Sequence, residues 1–357
     1  MSLKIVTIVG ARPQFIKAAP VSRVLRKEHQ EYLVHTGQHY DENMSRLFFD
    51  ELGIPAPDVN IGIGSGPHGE QTGRMMVEIE KILMEQKPDL VLVYGDTNST
   101  LAGAVAASKL NIPIGHVEAG LRSFNRTMPE EINRVLTDKI SDYLFCPTQT
   151  AVEHLQQEGI SRGVYLTGDV MYDAALYFAR LAQVKESVLQ ELGLAPKTYL
   201  LATCHRPQNT DDPATLAGIV DAFIESGEII VFPIHPRTRG FLRKYNLLTR
   251  LDKAANVKLI EPVGYLQMIQ LERQAKKILT DSGGVQKEAY FYQVPCITMR
   301  EETEWVETVQ DGWNILVGSE RDKILQAIAN FSPNHPQNNH YGDGKASEKI
   351  AEILRQE

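Results

Sequence analysis

The sequence has few cysteines, no excess of positive charge and no long apolar segment. Its three cysteines, Cys146, Cys204 and Cys296, are odd in number and far apart, which excludes a disulfide framework and a CxxC metal site. Lys plus Arg total 37 against 45 for Asp plus Glu, a net charge of −8, so the chain lacks the basic field that attracts nucleic acid or an anionic membrane. No apolar run approaches the roughly 18 residues of a membrane span. We therefore expect no nucleic-acid partner and no membrane partner.

The N-terminal segment also lacks the features of an export signal. Residues 4–10 form a short apolar run that leads into Arg12-Pro13 without a cleavage site. The sparse, unpaired cysteines fit a reducing compartment. The expected location is the cytoplasm.

What the chain does have is a repeated alternation of short β-rich runs and helical stretches. This rhythm is typical of parallel sheets covered by helices on both faces, and the length of 357 residues predicts two domains. The predicted strands are 4–10, 31–37, 89–96, 112–118, 142–148 and 163–169, followed after a helical stretch by 198–204, 228–235, 257–263, 276–284 and 294–300. We expect an α/β fold of two Rossmann-like, doubly wound domains that face a central cleft. The expected domains are 1–168, with a C-terminal helix at about 346–357 packing back onto it, and 169–345.

Ligands of such sheets bind beyond the carboxyl ends of the strands, so the residues there are the first candidates for function. Gly10 leads from the first strand into a helix start with Arg12 and Lys17, an arrangement that suits a pyrophosphate or is an ordinary solvated helix start. Asp96 ends the third strand and Glu118 the fourth. These carboxylates predict a titrating site at one edge of the sheet.

The second half repeats the pattern with other side chains. His205 and Arg206 follow one strand, and His235 follows the next, which indicates a polar ligand. Ser282, Gly283 and Gly284 join a strand to a helix through small residues whose amides suit a phosphate, and Glu288 lies one turn on, where it could accept hydrogen bonds from a ribose diol. The alternative for Ser282 is a simple helix cap.

Three other patterns are weaker. Residues 64–69 read GxGxxG but lack a strong preceding strand, so 62–69 is interpreted as a loop that could close over a ligand. Glu130, in the first turn of a helix starting at Pro129, has capping as its simplest explanation. A metal site at Asp96, His116, Glu118 and His205 is disfavoured because the Pro-Cys-x-x-Cys of zinc deaminases is missing.

Seven motifs occur together in one order, a combination far more specific than any single glycine pattern. They are GARPQFIKAAP, HTGQH, YGDTNST, GHVEAGLRS, PEEINR, TCHR and LTDSGGVQKEA. In these motifs the sequence resembles the non-hydrolysing UDP-N-acetylglucosamine 2-epimerases, from about residue 4 to residue 320. The resemblance implies two domains arranged as in GT-B glycosyltransferases, a cytoplasmic homodimer, a UDP-sugar substrate, and neither a metal nor another cofactor.

The resemblance also implies roles for single residues. The acid/base set would be Asp96, Glu118, Glu130 and His205, with Glu131 as the alternative to Glu130. The UDP contacts would be Arg12 and Lys17 by the phosphates, Ser282, Gly283 and Gly284 on the diphosphate, and Glu288 on the ribose. Further substrate contacts would come from Gln38, His39, Arg134, Arg206, His235 and Gln286.

The implied activity interconverts UDP-GlcNAc and UDP-ManNAc, for surface polysaccharide precursors, by eliminating UDP and adding it back. Residues 300–307 are closer to members that act on UDP-2,3-diacetamido-2,3-dideoxyglucuronate, which leaves that sugar as the alternative substrate. Asp41 and Glu70 stand where many bacterial members have a glutamine and an arginine, which argues against their activating UDP-GlcNAc site. A GT-B glycosyltransferase or a non-catalytic UDP-sugar binder is the more remote alternative.

Overall fold

The computed structural model describes residues 2–37, 53, 55–184 and 187–356, with the side chain of Arg12 outside that description. Gln38, His39 and Asp41, on which the sequence placed expectations, lie outside the described residues. The chain divides into two compact units: unit 1 is Met1–Tyr177 with Asn339–Glu357, and unit 2 is Phe178–Asn338. The domain boundary near residue 168 stays a prediction.

The secondary structure alternates as the hydrophobic pattern indicates. The described strands are β1 (Lys4–Val9), β2 (Gln30–His35), β3 (Val59–Asn60), β4 (Leu90–Tyr94), β5 (Ile114–Val117), β6 (Tyr143–Cys146), β7 (Val164–Leu166), β8 (Leu200–Thr203), β9 (Ile230–Pro233), β10 (Val257–Ile260), β11 (Lys277–Thr280), β12 (Cys296–Thr298) and β13 (Asn314–Leu316). The described helices are α1 (Arg12–Leu25), α2 (His68–Gln86), α3 (Asn98–Lys109), α4 (Pro129–Ile140), α5 (Gln149–Gln157), α6 (Val170–Gln183), α7 (Val188–Glu191), α8 (Pro207–Thr210), α9 (Pro213–Glu225), α10 (Pro236–Lys244), α11 (Leu248–Lys253), α12 (Tyr265–Gln274), α13 (Gly283–Phe291), α14 (Val306–Gln310), α15 (Arg321–Asn330) and α16 (Ala346–Arg355).

Unit 1 contains a parallel sheet in the order β3-β2-β1-β4-β5-β6-β7. Its central strands are continuous apolar runs because both faces are covered; all of β4 is buried. The strand order reverses between β1 and β4, which pair with Ile8 opposite Val93. That reversal is the topological switch point, where doubly wound sheets bind ligands.

Unit 2 repeats the design in the order β10-β9-β8-β11-β12-β13. This is the strand order of a dinucleotide-binding Rossmann fold. Its switch point lies between β8 and β11, where Thr203 is opposite Thr280. Helices α9 and α15 pack together, and their side chains share a core with those of β8, β9 and β11.

The structure also contains features that the periodicity did not predict. Strands β3 and β13 are only two and three residues long and lie at sheet edges, so neither gives a continuous apolar run. The GxGxxG pattern is divided between a loop and α2, which begins at His68. By contrast, the sequence does predict the final helix, α16, which packs on α1; its Arg355 forms an ion pair with Glu28.

Candidate active site

The turn after β1 is held from inside the protein by the side chain of Gln14. Its Oε1 accepts hydrogen bonds from the amides of Gly10 (2.8 Å) and Ala11 (3.0 Å). Its Nε2 donates to the carbonyl oxygen of Tyr94 (2.8 Å), at the end of β4. Gln14 therefore connects the two strands of the switch point. The amides of Gly10 and Ala11, which the sequence made candidates for binding a pyrophosphate, are already hydrogen-bonded to its side chain.

Lys17 and Glu118 form an ion pair above the end of β4. The side chains are 14% and 4% exposed, so the pair is largely shielded from water. A Cβ built on Gly95 would lie 3.3 Å from both Lys17 Nζ and Glu118 Oε2, so the glycine makes room for the pair. Glu118 itself has a φ of 74°, a left-handed conformation that costs a non-glycine residue energy and that clusters at functional sites.

Asp96 is bound by Arg134, which reaches it from α4. The Asp96 side chain is 29% exposed, whereas that of Arg134 is 5% exposed. Arg134 also donates to Glu131 Oε2 at 3.0 Å. The guanidinium thus holds Asp96 at the open end of the sheet while its own position is set from the buried side.

The two glutamates at the start of α4 have different surroundings. Glu131 is buried and accepts further hydrogen bonds from the amides of Ser123 (2.9 Å) and Phe124 (3.0 Å) and from the Ser123 hydroxyl (2.9 Å). Glu130 is exposed and has no hydrogen bond or ion pair within the described part of the chain. The Glu131 carboxylate therefore holds the 123–124 loop in place, and Glu130 is the glutamate whose carboxylate is accessible to a ligand.

His116 belongs to a fully buried charge network behind these carboxylates. Its Nδ1 lies 2.7 Å from Asp138 Oδ1, and its Nε2 lies 2.7 Å from the carbonyl oxygen of Gly95. Asp138 also accepts from Arg122 at 2.7 Å. Burial acts to raise the pKa of Asp138, but His116 and Arg122 outweigh it and lower that pKa.

In unit 2, Asp281 organises the end of β8. Its carboxylate accepts from the amides of His205 (2.9 Å) and Arg206 (2.9 Å) and from Asn209 Nδ2 (3.1 Å). The rings of His205 and His235 lie 5.5 Å apart. Burial lowers the pKa of both imidazoles and outweighs the nearby Asp281 carboxylate, which raises it, so both are neutral near pH 7.

The turn after β11 presents amides to solvent. Ser282 Oγ accepts from the Val285 amide at 3.5 Å, so the predicted cap is present at the start of α13. The amides of Gly283 and Gly284 have no acceptor among the described residues. Two unpaired amides at the positive end of a helix dipole form a site suited to a phosphate.

Two predicted ligand residues on α13 turn inward. Glu288 is 6% exposed and accepts a hydrogen bond from Tyr265 at 2.7 Å. Gln286 is fully buried, and its carbonyl accepts from Thr303 at 2.7 Å and Asn314 at 3.2 Å. Glu288 thus keeps a small solvent-exposed area, whereas the Gln286 side chain is hydrogen-bonded inside unit 2, away from solvent.

Sequence reasoning did not identify the residues that hold the site in place. Gln14 carried a usable signal, because a glutamine at the third helical position is half of a capping box. Asp138 had none, because its partners lie on other elements of the fold. Within the described residues, no group of three or more His, Cys, Asp or Glu side chains is arranged to hold a metal. Nor is any described helix both long enough and apolar enough to cross a bilayer.

The two Rossmann-like sheets define a two-domain α/β protein, in which one sheet ends in cation-bound carboxylates suited to proton transfer and the other in unpaired amides suited to a phosphate. Comparison with known families makes this specific: the family model described as UDP-N-acetylglucosamine 2-epimerase matches residues 23–355. The chain belongs to this family of isomerases. The family predicted from the motifs is confirmed, as is the fold class of two parallel-sheet α/β domains.

Individual relatives agree over almost the whole chain. The sequence is 61% identical to a UDP-N-acetylglucosamine 2-epimerase homolog of Methanococcus maripaludis, over 99% of both chains. It is 52% identical to the UDP-2,3-diacetamido-2,3-dideoxy-D-glucuronate 2-epimerase of Pseudomonas aeruginosa, again over 99% of both. A crystal structure of the Methanocaldococcus jannaschii UDP-GlcNAc 2-epimerase in complex with UDP-GlcNAc and UDP matches with a TM-score of 0.90 and 48% identity, covering 100% of both chains.

Proposed function

We propose that this chain is a non-hydrolysing UDP-N-acetylglucosamine 2-epimerase that interconverts UDP-GlcNAc and UDP-ManNAc. The observation that carries the proposal is family membership along residues 23–355, together with the cation-bound carboxylates at the end of β4 and β5. We also propose that the protein is a cytoplasmic homodimer, as the resemblance implies. Light scattering would measure the molar mass and so test the dimer.

The chemistry proceeds by elimination, because the C2 hydrogen of a UDP-hexose is not next to a carbonyl and cannot leave as a simple acid. A base takes the C2 proton, the C2–H electron pair forms the C1=C2 bond, and the C1–O bond breaks so that its electrons leave with UDP. UDP then adds back to C1 of the 2-acetamidoglucal as a proton reaches C2 from the opposite face. The cycle needs neither hydride transfer nor a Lewis acid.

Unit 1 supplies the proton chemistry. Epimerisation requires a proton acceptor on one face of the sugar and a donor on the other, so a single base does not suffice. Asp96, Glu118 and Glu130 are the proposed groups, and Lys17 and Arg134 orient the first two. Each positioned acid or base is worth about 10²–10⁴-fold in rate.

Unit 2 supplies the nucleotide contacts. The amides of Gly283 and Gly284 and the hydroxyl of Ser282 bind the diphosphate, and Glu288 accepts the ribose hydroxyls. Arg206, His205 and His235 form the polar group at the neighbouring strand ends, and His205 completes the acid/base set. Donors fixed before the reaction stabilise the charge of departing UDP without reorganisation. Gln38, His39, Arg12 and Gln286 stay predicted substrate contacts.

The test is hydrogen exchange at C2. Purified protein is incubated with UDP-GlcNAc in D₂O, without added metal or NAD, and the sugar is followed by proton NMR. We expect UDP-ManNAc to appear with deuterium at C2 of both epimers. Exchange without an acceptor sugar separates an epimerase from a glycosyltransferase, and UDP binding without exchange of any candidate sugar would leave only a binding protein.

Site variants test the assignments. Asp96→Asn, Glu118→Gln and Glu130→Gln should each lower the exchange rate by about 10²-fold or more. Glu80→Gln is the matched control, since Glu80 is exposed on α2 and makes no described contact. Unchanged exchange in a site variant removes that residue from the acid/base set.

The uronate branch is the second candidate substrate, favoured by the 52% identical Pseudomonas aeruginosa relative. The same exchange experiment with UDP-2,3-diacetamido-2,3-dideoxyglucuronate decides between them. Faster C2 exchange of the uronate than of UDP-GlcNAc at equal concentration would assign the chain to that branch.

A further inference from the structure

A second pair of carboxyl groups lies inside unit 2, beneath the proposed ribose site. Glu272 is in the last turns of α12 and has no exposed surface, and Glu288 on α13 is 6% exposed. The two carboxyl groups are hydrogen-bond neighbours. Burial, reinforced by the Glu288 charge, raises the pKa of Glu272 well above that of an ordinary glutamate.

The geometry requires a shared proton. If both groups were ionised, the oxygens of Glu272 would have no donor among the described residues and would face another carboxylate. Leaving a buried charge unpaired costs several kcal/mol, so the pair keeps one proton. Tyr265 donates to Glu288 Oε1 at 2.7 Å, which stabilises the ionised form of Glu288. The proton therefore resides on Glu272.

The surroundings keep the pair in this state. Its ionisable neighbours are Tyr199, Tyr265, Tyr292 and Cys296, and burial raises the pKa of each, so that all are neutral near pH 7. Arg273, on the same helix as Glu272, lies over the Tyr292 ring at 5.9 Å and donates to the Ala179 carbonyl at 3.3 Å. A single negative charge thus remains, on the more exposed member of the pair.

We propose that Glu272, in its protonated form, is a positioning residue that acts with Tyr265 to hold Glu288 as the acceptor for the ribose hydroxyls of the nucleotide. This rests on the proposed function, in which Glu288 contacts the ribose. Two donors from the buried side fix the carboxylate before the ligand arrives, so binding does not have to order it. Loss of the Glu272 proton at higher pH places a second charge behind Glu288 and weakens the ribose contact.

The test compares UDP with 2′-deoxy-UDP, which lacks one ribose hydroxyl. Calorimetry gives both dissociation constants for the wild type and for three variants: Glu288→Gln, Glu272→Leu and Glu272→Gln. We expect the wild type to prefer UDP by about ten-fold or more, as for a hydrogen bond to a charged acceptor. Glu272→Leu should reduce the preference to about two-fold, whereas Glu272→Gln, whose amide still donates, should retain it.

The pH dependence gives an independent reading that needs only the wild type and Glu272→Gln. The wild-type preference for UDP should decline as the pH rises and Glu272 loses its proton, while that of Glu272→Gln should stay constant because an amide does not ionise. A purely structural role for Glu272 would lower the melting temperature of the variants without changing the ratio of the two affinities.

The outcomes separate this inference from the proposed function. If Glu288→Gln loses the preference but Glu272→Leu keeps it, positioning by Glu272 is overturned and the ribose contact stands. If Glu288→Gln keeps the preference, the ribose contact fails, and the inference fails with it. Neither measurement needs turnover, so a failed C2 exchange leaves both readings intact.

Discussion

The clearest consequence for stability concerns His35, the last residue of β2. It is 1% exposed, and its ring meets the Phe15 ring edge-on with centroids 4.8 Å apart. Burial lowers the pKa of His35 from 6.5 to about 4, against a smaller opposing effect of its hydrogen bond with the Gly10 backbone. The folded protein therefore holds this imidazole neutral under conditions where an unfolded chain protonates it.

The sign and size follow from proton linkage. Between pH 6.5 and pH 4 the unfolded state binds the proton and the folded state does not, so the free energy of unfolding falls as the pH falls. Each pH unit in this window is worth about 1.4 kcal/mol, which gives about 3 kcal/mol across the whole window and about 2 kcal/mol between pH 6.5 and pH 5. Above pH 6.5 the contribution is complete and constant.

Hydrogen exchange of peptides from β1 and β2, corrected for intrinsic rates, measures this locally. From pH 7 to pH 5 we expect the protection of these peptides in wild type to fall by about thirty-fold more than in His35→Gln. His335→Gln, at an exposed position, is the matched control and should behave as wild type. An NMR titration that places the His35 midpoint above 6, or equal losses in wild type and His35→Gln, would refute the reasoning.

Four further predictions concern other residues. Gly10→Ala should yield unfolded or insoluble protein, judged by circular dichroism of the soluble fraction, because its Cβ would lie 2.1 Å from the hydroxyl oxygens of both Thr36 and Ser99. Asp138→Asn should lower the free energy of unfolding in urea by about 3 kcal/mol, since it leaves the buried Arg122 guanidinium with one carboxylate partner fewer; a change below about 1 kcal/mol would contradict this. His205→Asn should lower kcat by about 10²-fold or more. Wild-type kcat/KM should fall in acid only below pH 6.5, because the lowered pKa keeps His205 neutral down to that point.

The sequence predicted the sheets well because parallel strands that are buried on both faces consist of nearly continuous apolar runs. KIVTIV and LVLVY, the two strands of the first switch point, each end at a glycine and have no competing helical period. Where a strand is short and lies at an edge, as β3 and β13 do, two or three residues carry no such pattern. Hydrophobic periodicity alone therefore does not predict such short edge strands.

The candidate site was predictable in its location and less so in its contacts. Ligands of such sheets bind beyond the carboxyl ends of the strands, and this rule identified Asp96, His205 and Ser282 as candidates from the sequence alone. The partners of such residues come from helices elsewhere in the chain: Gln14 bonds the carbonyl of a residue 80 positions away. Sequence periodicity shows that a helical face is buried but not which polar group it meets there.

The candidate sites of the two units differ in how their charged and polar groups are paired, which the motifs did not reveal. Lys17 forms an ion pair with Glu118 and Arg134 one with Asp96, so these cations mainly hold carboxylates in place. A cation already paired with a shielded carboxylate attracts a further anion weakly, because the pair has little net charge. In unit 2, by contrast, the amides at 283–284 have no described partner, and the Arg206 guanidinium forms no described ion pair. Under the proposed function, we therefore expect unit 2 to stabilise most of the charge that leaves with UDP, and the cations of unit 1 to orient the bases when the proton moves.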